Sequence, residues 1–202
     1  MTYAGDRLVF DADSHVMELP GWLEEFADRS IADNLRPLAL GGAGALADRA
    51  VAEAADRQAG GVATLDPDPI ELLGSKGWGA VGAFDATERS FVLDQLGFAA
   101  QLVFPTFAAT QFAGKDLDLL YGGSDALNRA MAAFCADDPR LLAVASVPWG
   151  DPTRTIECAK RAVDEGCRAV MVPTDLPRGV VSPTHPDRHR RWACVDAENV
   201  PG

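Results

Sequence analysis

The sequence predicts an α/β fold built on a parallel sheet, and three observations carry that expectation. Short apolar runs alternate with amphipathic helical stretches about four times along the chain. The run Ala99-Ala100-Gln101-Leu102-Val103-Phe104-Pro105 is almost continuously apolar, which suits a parallel strand covered on both faces. Polar residues gather where the strands end: Asp13 and His15 after the first, Thr106 after the second, Trp149 after the third, Thr174 and Asp175 after the fourth. In a (β/α) barrel that end of the strands is the active face.

The first strand is expected as a buried one over Arg7 to Asp13, where simple alternation leans Asp11, Asp13 and His15 to the same side. Such a row is costly in a closed core unless a cation or a hydrogen-bond network satisfies it. A short amphipathic helix is expected from Leu19 to Arg29, with Trp22, Leu23 and Phe26 on one side. A loop from Asn34 leads into a helix near Ala45 to Ala59, and the turn chemistry of Val62 to Phe84 reads as a long irregular connection, a lid or binding loop. Thr87 to Gly97 is a helix stopped by its glycine. Beyond the second strand, a helix from Ser124 to Asp137 carries Leu127, Met131 and Phe134 on one stripe, with Ser124 as its cap. Strand Arg140 to Val147, helix Thr153 to Glu165, strand Arg168 to Val172 and a last helix near Asp187 to Glu198 complete the series. No Gly-x-Gly-x-x-Gly follows the first strand and no Walker-type Gly-Lys-Ser occurs, which disfavours the nucleotide-binding forms of this architecture.

With 202 residues, 48% of them apolar, the chain has material for a large core. The formal net charge of -12 and a pI near 4.6 argue against nucleic acid and against an anionic membrane surface, both of which attract clustered Lys and Arg. Cys135, Cys158, Cys167 and Cys194 form no CxxC pair and read as reduced cysteines rather than a disulfide frame or zinc knuckle. Neither a basic-then-apolar leader nor an apolar run of membrane-spanning length is visible, so a cytoplasmic location is expected.

Several stretches together resemble the amidohydrolase-related (amidohydrolase 2) family, which includes aminocarboxymuconate-semialdehyde decarboxylase and related metal-dependent aromatic acid decarboxylases. They are Asp11-Ala12-Asp13-Ser14-His15, Glu88-Arg89 through Leu93-Asp94-Gln95-Leu96-Gly97-Phe98 into Leu102-Val103-Phe104-Pro105-Thr106, then Asn128 to Phe134, Asp138-Pro139-Arg140-Leu141, Val147-Pro148, and Glu165-Gly166 into Ala169-Val170-Met171-Val172. The resemblance implies a distorted (β/α)₈ TIM barrel with one divalent ion, usually zinc, at the C-terminal face of the strands. It places the two first-strand metal ligands at Asp13 and His15. A carboxylate at the first of these positions departs from the usual histidine and admits manganese or magnesium as well. The family completes its site with a histidine after the fifth strand and a late aspartate, which this sequence does not reach. About four strands cannot close the barrel, so residues 1–202 are expected to be a single amidohydrolase-related domain truncated at the C-terminus, about the first four βα units with a long inserted loop and helix after the first strand.

Each candidate has a plainer alternative. Asp13 and His15 could be a hydrogen-bonded strand end in which the carboxylate orients the imidazole; spacing and resemblance together favour a metal-ligand role. Asp11 reads as an interior hydrogen-bonding residue. Glu18 and His185 are further candidates for metal or substrate contact, although Glu18 lies beyond the strand and the stretch around His185 also reads as a helix cap formed by Thr184 and Asp187. His189, flanked by Arg188, Arg190 and Arg191, belongs to a solvated helix face. Trp78 could stack on an aromatic carboxylate, with Lys76 and Arg89 pairing its charge, or the loop could be a lid packed on the barrel with Arg89 on a helix surface. Phe107 is read as core that reaches the site. The expected function is a metal-dependent carboxy-lyase or hydrolase acting on a small carboxylated cyclic or aromatic compound, with homo-oligomerisation open and the activity of this chain by itself doubtful. The alternative is a non-catalytic fragment that persists by self-association or by pairing an open sheet edge with another chain.

Overall fold

The computed structural model describes residues 2–62, 65–114 and 116–173. Its strands are β1 (Phe10–His15), β2 (Ala100–Phe104), β3 (Leu141–Ser146) and β4 (Ala169–Met171). They form one parallel sheet in the order β1-β2-β3-β4. The helices are α1 (Arg29–Ala32), α2 (Gly44–Gly60), α3 (Pro69–Gly74), α4 (Ala86–Leu96), α5 (Leu117–Cys135) and α6 (Pro152–Asp164). Successive strands adjoin through helical crossovers, the pattern of a partial TIM-barrel-like arrangement. The last helix expected from the sequence, Thr174, Asp175, His185, His189 and Cys194 lie outside the described residues. No helix among the described residues is long and apolar enough to cross a membrane.

Aspartates open α4, α5 and α6. Asp85 accepts from the amide of Glu88 at α4, Asp116 from those of Asp118 and Leu119 at α5, and Asp151 from that of Arg154 at α6, where Pro152 occupies the first helical position. The core lies between the sheet and helices α4 and α5: Leu93, Leu127, Met131 and Val103 are fully buried, each worth about 1.5–3 kcal/mol relative to exposure. A second, smaller core gathers Trp78, Ala47 and Ala50 with Met17, Leu40, Phe84 and Phe107.

The motif Asp138-Pro139-Arg140 ties strand to helix. Asp138 accepts from the amide and guanidinium of Arg140, which also reaches Asp94 on α4 at 2.7 Å. The Arg140 guanidinium holds the Asp138 carboxyl down at about 2. Asn128 on α5 exchanges hydrogen bonds with the backbone of Ser146, as a neighbouring strand would. Cys135, Cys158 and Cys167 are free and buried; burial pushes the first two thiols up to about 12 and the third to about 11, which keeps them protonated and inert.

Four expectations need correction. β1 has only Ser14 buried, because among the described residues it pairs with β2 alone and forms the sheet's edge. Residues 20–26 form successive turns rather than a helix, with bonds such as Trp22 N to Leu19 O and Glu24 N to Gly21 O; Gly21 sits at φ +82°, outside helical space. Helix α5 begins at Leu117, well before Ser124, because Gly122 and Gly123 are not a break: they let Ile31 and Phe112 press against the helix. Ser124 is an interior residue bonding back to Leu120 O. The connection before Phe84 contains α3, started by Asp68 and Pro69.

Candidate metal site

The two faces of β1 are set by a bulge. Phe10 pairs with Ala100 and Asp11 with Gln101, but Ser14 then pairs with Val103 and His15 with Phe104, so β1 holds one extra residue between Asp11 and Ser14. Side chains alternate along β2 and paired residues share a face. Asp11 and Ser14 therefore lie with Gln101 and Val103 on the helix side, and His15 lies with Phe104 on the opposite face. The expected common side for Asp11 and His15 is corrected on this point. Their partners agree: Gln101 Nε2 donates to Asp11 Oδ2 at 3.0 Å, while the His15 ring stacks on Phe104 at 5.6 Å.

The bulge is pinned from both directions. Asp11 Oδ1 accepts the amide of Asp13 at 3.0 Å. From α4, buried Arg89 donates Nη2 to His15 O at 2.8 Å, Nε to Gly82 O at 2.6 Å and Nη1 to Ser14 Oγ. Burial pulls the Arg89 guanidinium below its usual range, and the nearby Asp11 charge opposes that shift. Helix α4 is itself fixed: Glu88, 1% exposed, takes a bidentate pair from Arg57 of α2 and the amide of Gly82.

Asp13 and His15 meet at the end of β1. Asp13 Oδ1 lies 3.4 Å from His15 Nε2, and both side chains are open to solvent. Two ligands held tetrahedrally at about 2.1 Å from one ion stand about 3.4 Å apart. The spacing of the pair, one oxygen and one nitrogen, is that of two ligands on one divalent ion and also that of a long hydrogen bond. Among the described residues no three of His, Cys, Asp and Glu gather around an ion.

Glu18 has a different occupation. It is 1% exposed, and its carboxylate accepts the amides of Thr106 (2.7 Å), Phe107 (2.9 Å) and Ala108 (3.2 Å). The backbone carbonyl of Glu18 accepts Trp78 Nε1 at 3.2 Å. Trp78 is packed rather than presented: its ring lies against Phe107 at 5.4 Å, nearly parallel, and is 7% exposed. Lys76 and Arg89, by contrast, both line an open cleft of about 280 Å³ along β1, together with Asp11, Asp13, His15 and Gln101. Arg89 spends its donors on backbone and Ser14, so Lys76 is the exposed cation of that wall. The roles of Glu18 and Arg89 were hidden because most of their partners are backbone groups distant in sequence. The one available signal was an acid set directly after the apolar pair Val16-Met17, past the strand's end.

Fold and site together define a parallel α/β chain with an aspartate–histidine pair at the C-terminal end of its first strand. No family model and no curated protein matches the sequence. In fold the chain is similar to a solved amidohydrolase from Mycobacterium avium subsp. paratuberculosis K-10, with a TM-score of 0.54 and 16% identity. The match covers 85% of this chain and 51% of that one, so this chain spans about half the length of that protein.

Proposed function

We propose that the chain carries the first-strand half of the metal site of an amidohydrolase-like enzyme, a carboxy-lyase or hydrolase acting on a small carboxylated cyclic or aromatic compound. The observation that supports this reading best is the 3.4 Å spacing of Asp13 Oδ1 and His15 Nε2 at the strand end where a (β/α) barrel works. Asp13 and His15 would hold the ion, zinc first, with manganese or magnesium admitted by the carboxylate. A bound ion supplies a Lewis acid for a substrate carboxylate or a water. Within the chain itself, Lys76 offers charge to a substrate carboxylate in the cleft, and Arg89 holds the strand end in place. Metal analysis and Co²⁺ titration of the purified chain test the reading. Binding that falls at least about tenfold in both D13A and H15A supports it; identical metal content in wild type and both variants overturns it.

A second reading draws on a separate observation. Leu8 and Phe10 are 77% and 62% exposed along an edge strand, a surface suited to pairing with another copy of the chain. On that reading the chain is a non-catalytic product maintained by self-association. Sedimentation velocity separates the two: a monomer that binds metal removes the second reading.

A further inference from the structure

One hydroxyl decides which nitrogen of His15 faces Asp13. Thr106 Oγ1 lies 2.7 Å from Val16 O and 3.2 Å from His15 Nδ1. Two oxygens at 2.7 Å repel unless a hydrogen lies between them, and a carbonyl has none to offer. The single hydroxyl hydrogen of Thr106 therefore points at Val16 O. Only lone pairs remain on Oγ1 for the imidazole, so Nδ1 is the donor and carries a proton. In the neutral ring Nε2 is then bare, 3.4 Å from Asp13 Oδ1, an acceptor facing an acceptor. Asp13 and His15 would then present two acceptor atoms side by side, the form in which a histidine nitrogen and a carboxylate serve as metal ligands.

The ring and its acceptor are each braced on one side. Phe104 stacks against it at 5.6 Å, and Thr106 is fixed through its own amide on Glu18 Oε1 at 2.7 Å. A histidine that binds metal through one nitrogen commonly donates the other N–H to a fixed acceptor, which sets tautomer and orientation. Here the acceptor is a hydroxyl, made acceptor-only by the neighbouring carbonyl.

We propose that Thr106 is a positioning residue: it holds His15 in the Nδ1–H form so that Nε2 is presented beside Asp13, and Glu18 in turn holds Thr106. The purpose given to this device rests on the metal-site reading above, whereas the tautomer itself does not. Long-range proton–nitrogen correlation spectra of the metal-free chain, with the ring neutral and its signals assigned by their loss in H15Q, read the tautomer directly. Wild type should show a protonated Nδ1 and a bare Nε2. In T106V the ring should move toward Nε2–H donating to Asp13, by up to about tenfold in the tautomer ratio, and T106S should restore the wild-type spectrum. Co²⁺ affinity should fall about 10- to 100-fold in T106V and recover in T106S. A wild-type ring protonated at Nε2 overturns the inference, and so does a T106V ring unchanged from wild type. The wild-type spectrum decides the tautomer even if T106V folds poorly, and T106A provides a second variant. If the tautomer behaves as stated but wild type takes up no Co²⁺, the inference about Thr106 stands and the proposed function falls.

Discussion

Replacing Glu18 by glutamine tests the organisation of the site more directly than replacing either proposed ligand. The carboxylate serves three amides, those of Thr106 and Ala108 on Oε1 and that of Phe107 on Oε2. Glutamine keeps one oxygen for the first two and sets an NH₂ against the Phe107 N–H, donor against donor. Loss of one amide's acceptor costs about 1–3 kcal/mol, and removing the charge weakens the two surviving bonds. Because the Thr106 and Phe107 bonds are only partly buried, the total falls at about 2–3 kcal/mol. In a chain of this size that lowers Tm by about 4–12 °C. E18A strands all three amides and should cost about 3–5 kcal/mol. Urea and thermal unfolding followed by circular dichroism give both values, and amide exchange at residues 106–108 should quicken in step. An E18Q chain melting within about 1 °C of wild type, or E18A no less stable than E18Q, would show that the carboxylate does not hold this loop.

Two further outcomes follow from the scaffold. The Asp138 carboxyl is lowered from 3.8 to about 2, chiefly by the Arg140 guanidinium, so the folded state favours its ionised form. Its stabilisation is complete above the unfolded value and is lost as pH falls from there through about 2; discounted for the partly open Arg140, it amounts to about 1–2 kcal/mol. Urea midpoints in that acidic range should fall with pH in wild type and lose that component in D138N. At Gly82, φ is +73° and an added Cβ would meet Arg89 backbone at 2.5 Å, so G82A should destabilise by about 2–4 kcal/mol, measurable by the same unfolding curves. A G82A chain as stable as wild type would refute the close packing of that turn on α4.

Much of the scaffold was legible because it is punctuated. Pro105, Pro148 and Pro173 follow strands, Gly97 and Gly166 follow helices, and the apolar runs between them need no distant information. The start of α5 was not, since Gly122 and Gly123 read locally as a break and acquire their meaning only from Ile31 and Phe112. At the site, the pairing of Asp13 with His15 was within reach of spacing, whereas the faces of β1 were not: an extra residue in a strand leaves no trace in hydropathy. Trp78 was misleading because an aromatic in a glycine-rich loop looks available, and only the parallel ring of Phe107 shows where it goes. Glu18 looked like a ligand for the reason that makes it a clamp, a carboxylate set just past the strand end.

The bulge in β1 also changes how this stretch is to be counted. An uninterrupted strand one residue shorter between Asp11 and Ser14 would deliver the histidine to the same face by ordinary alternation. Two different lengths are thus equivalent at the point where the chemistry lies. The number of residues separating the histidine from the apolar run ahead of it is therefore a poor yardstick for recognising the pair in another sequence. Counting backward from Thr106's partner at the strand's end, rather than forward from Leu8, is what brings corresponding donors into register.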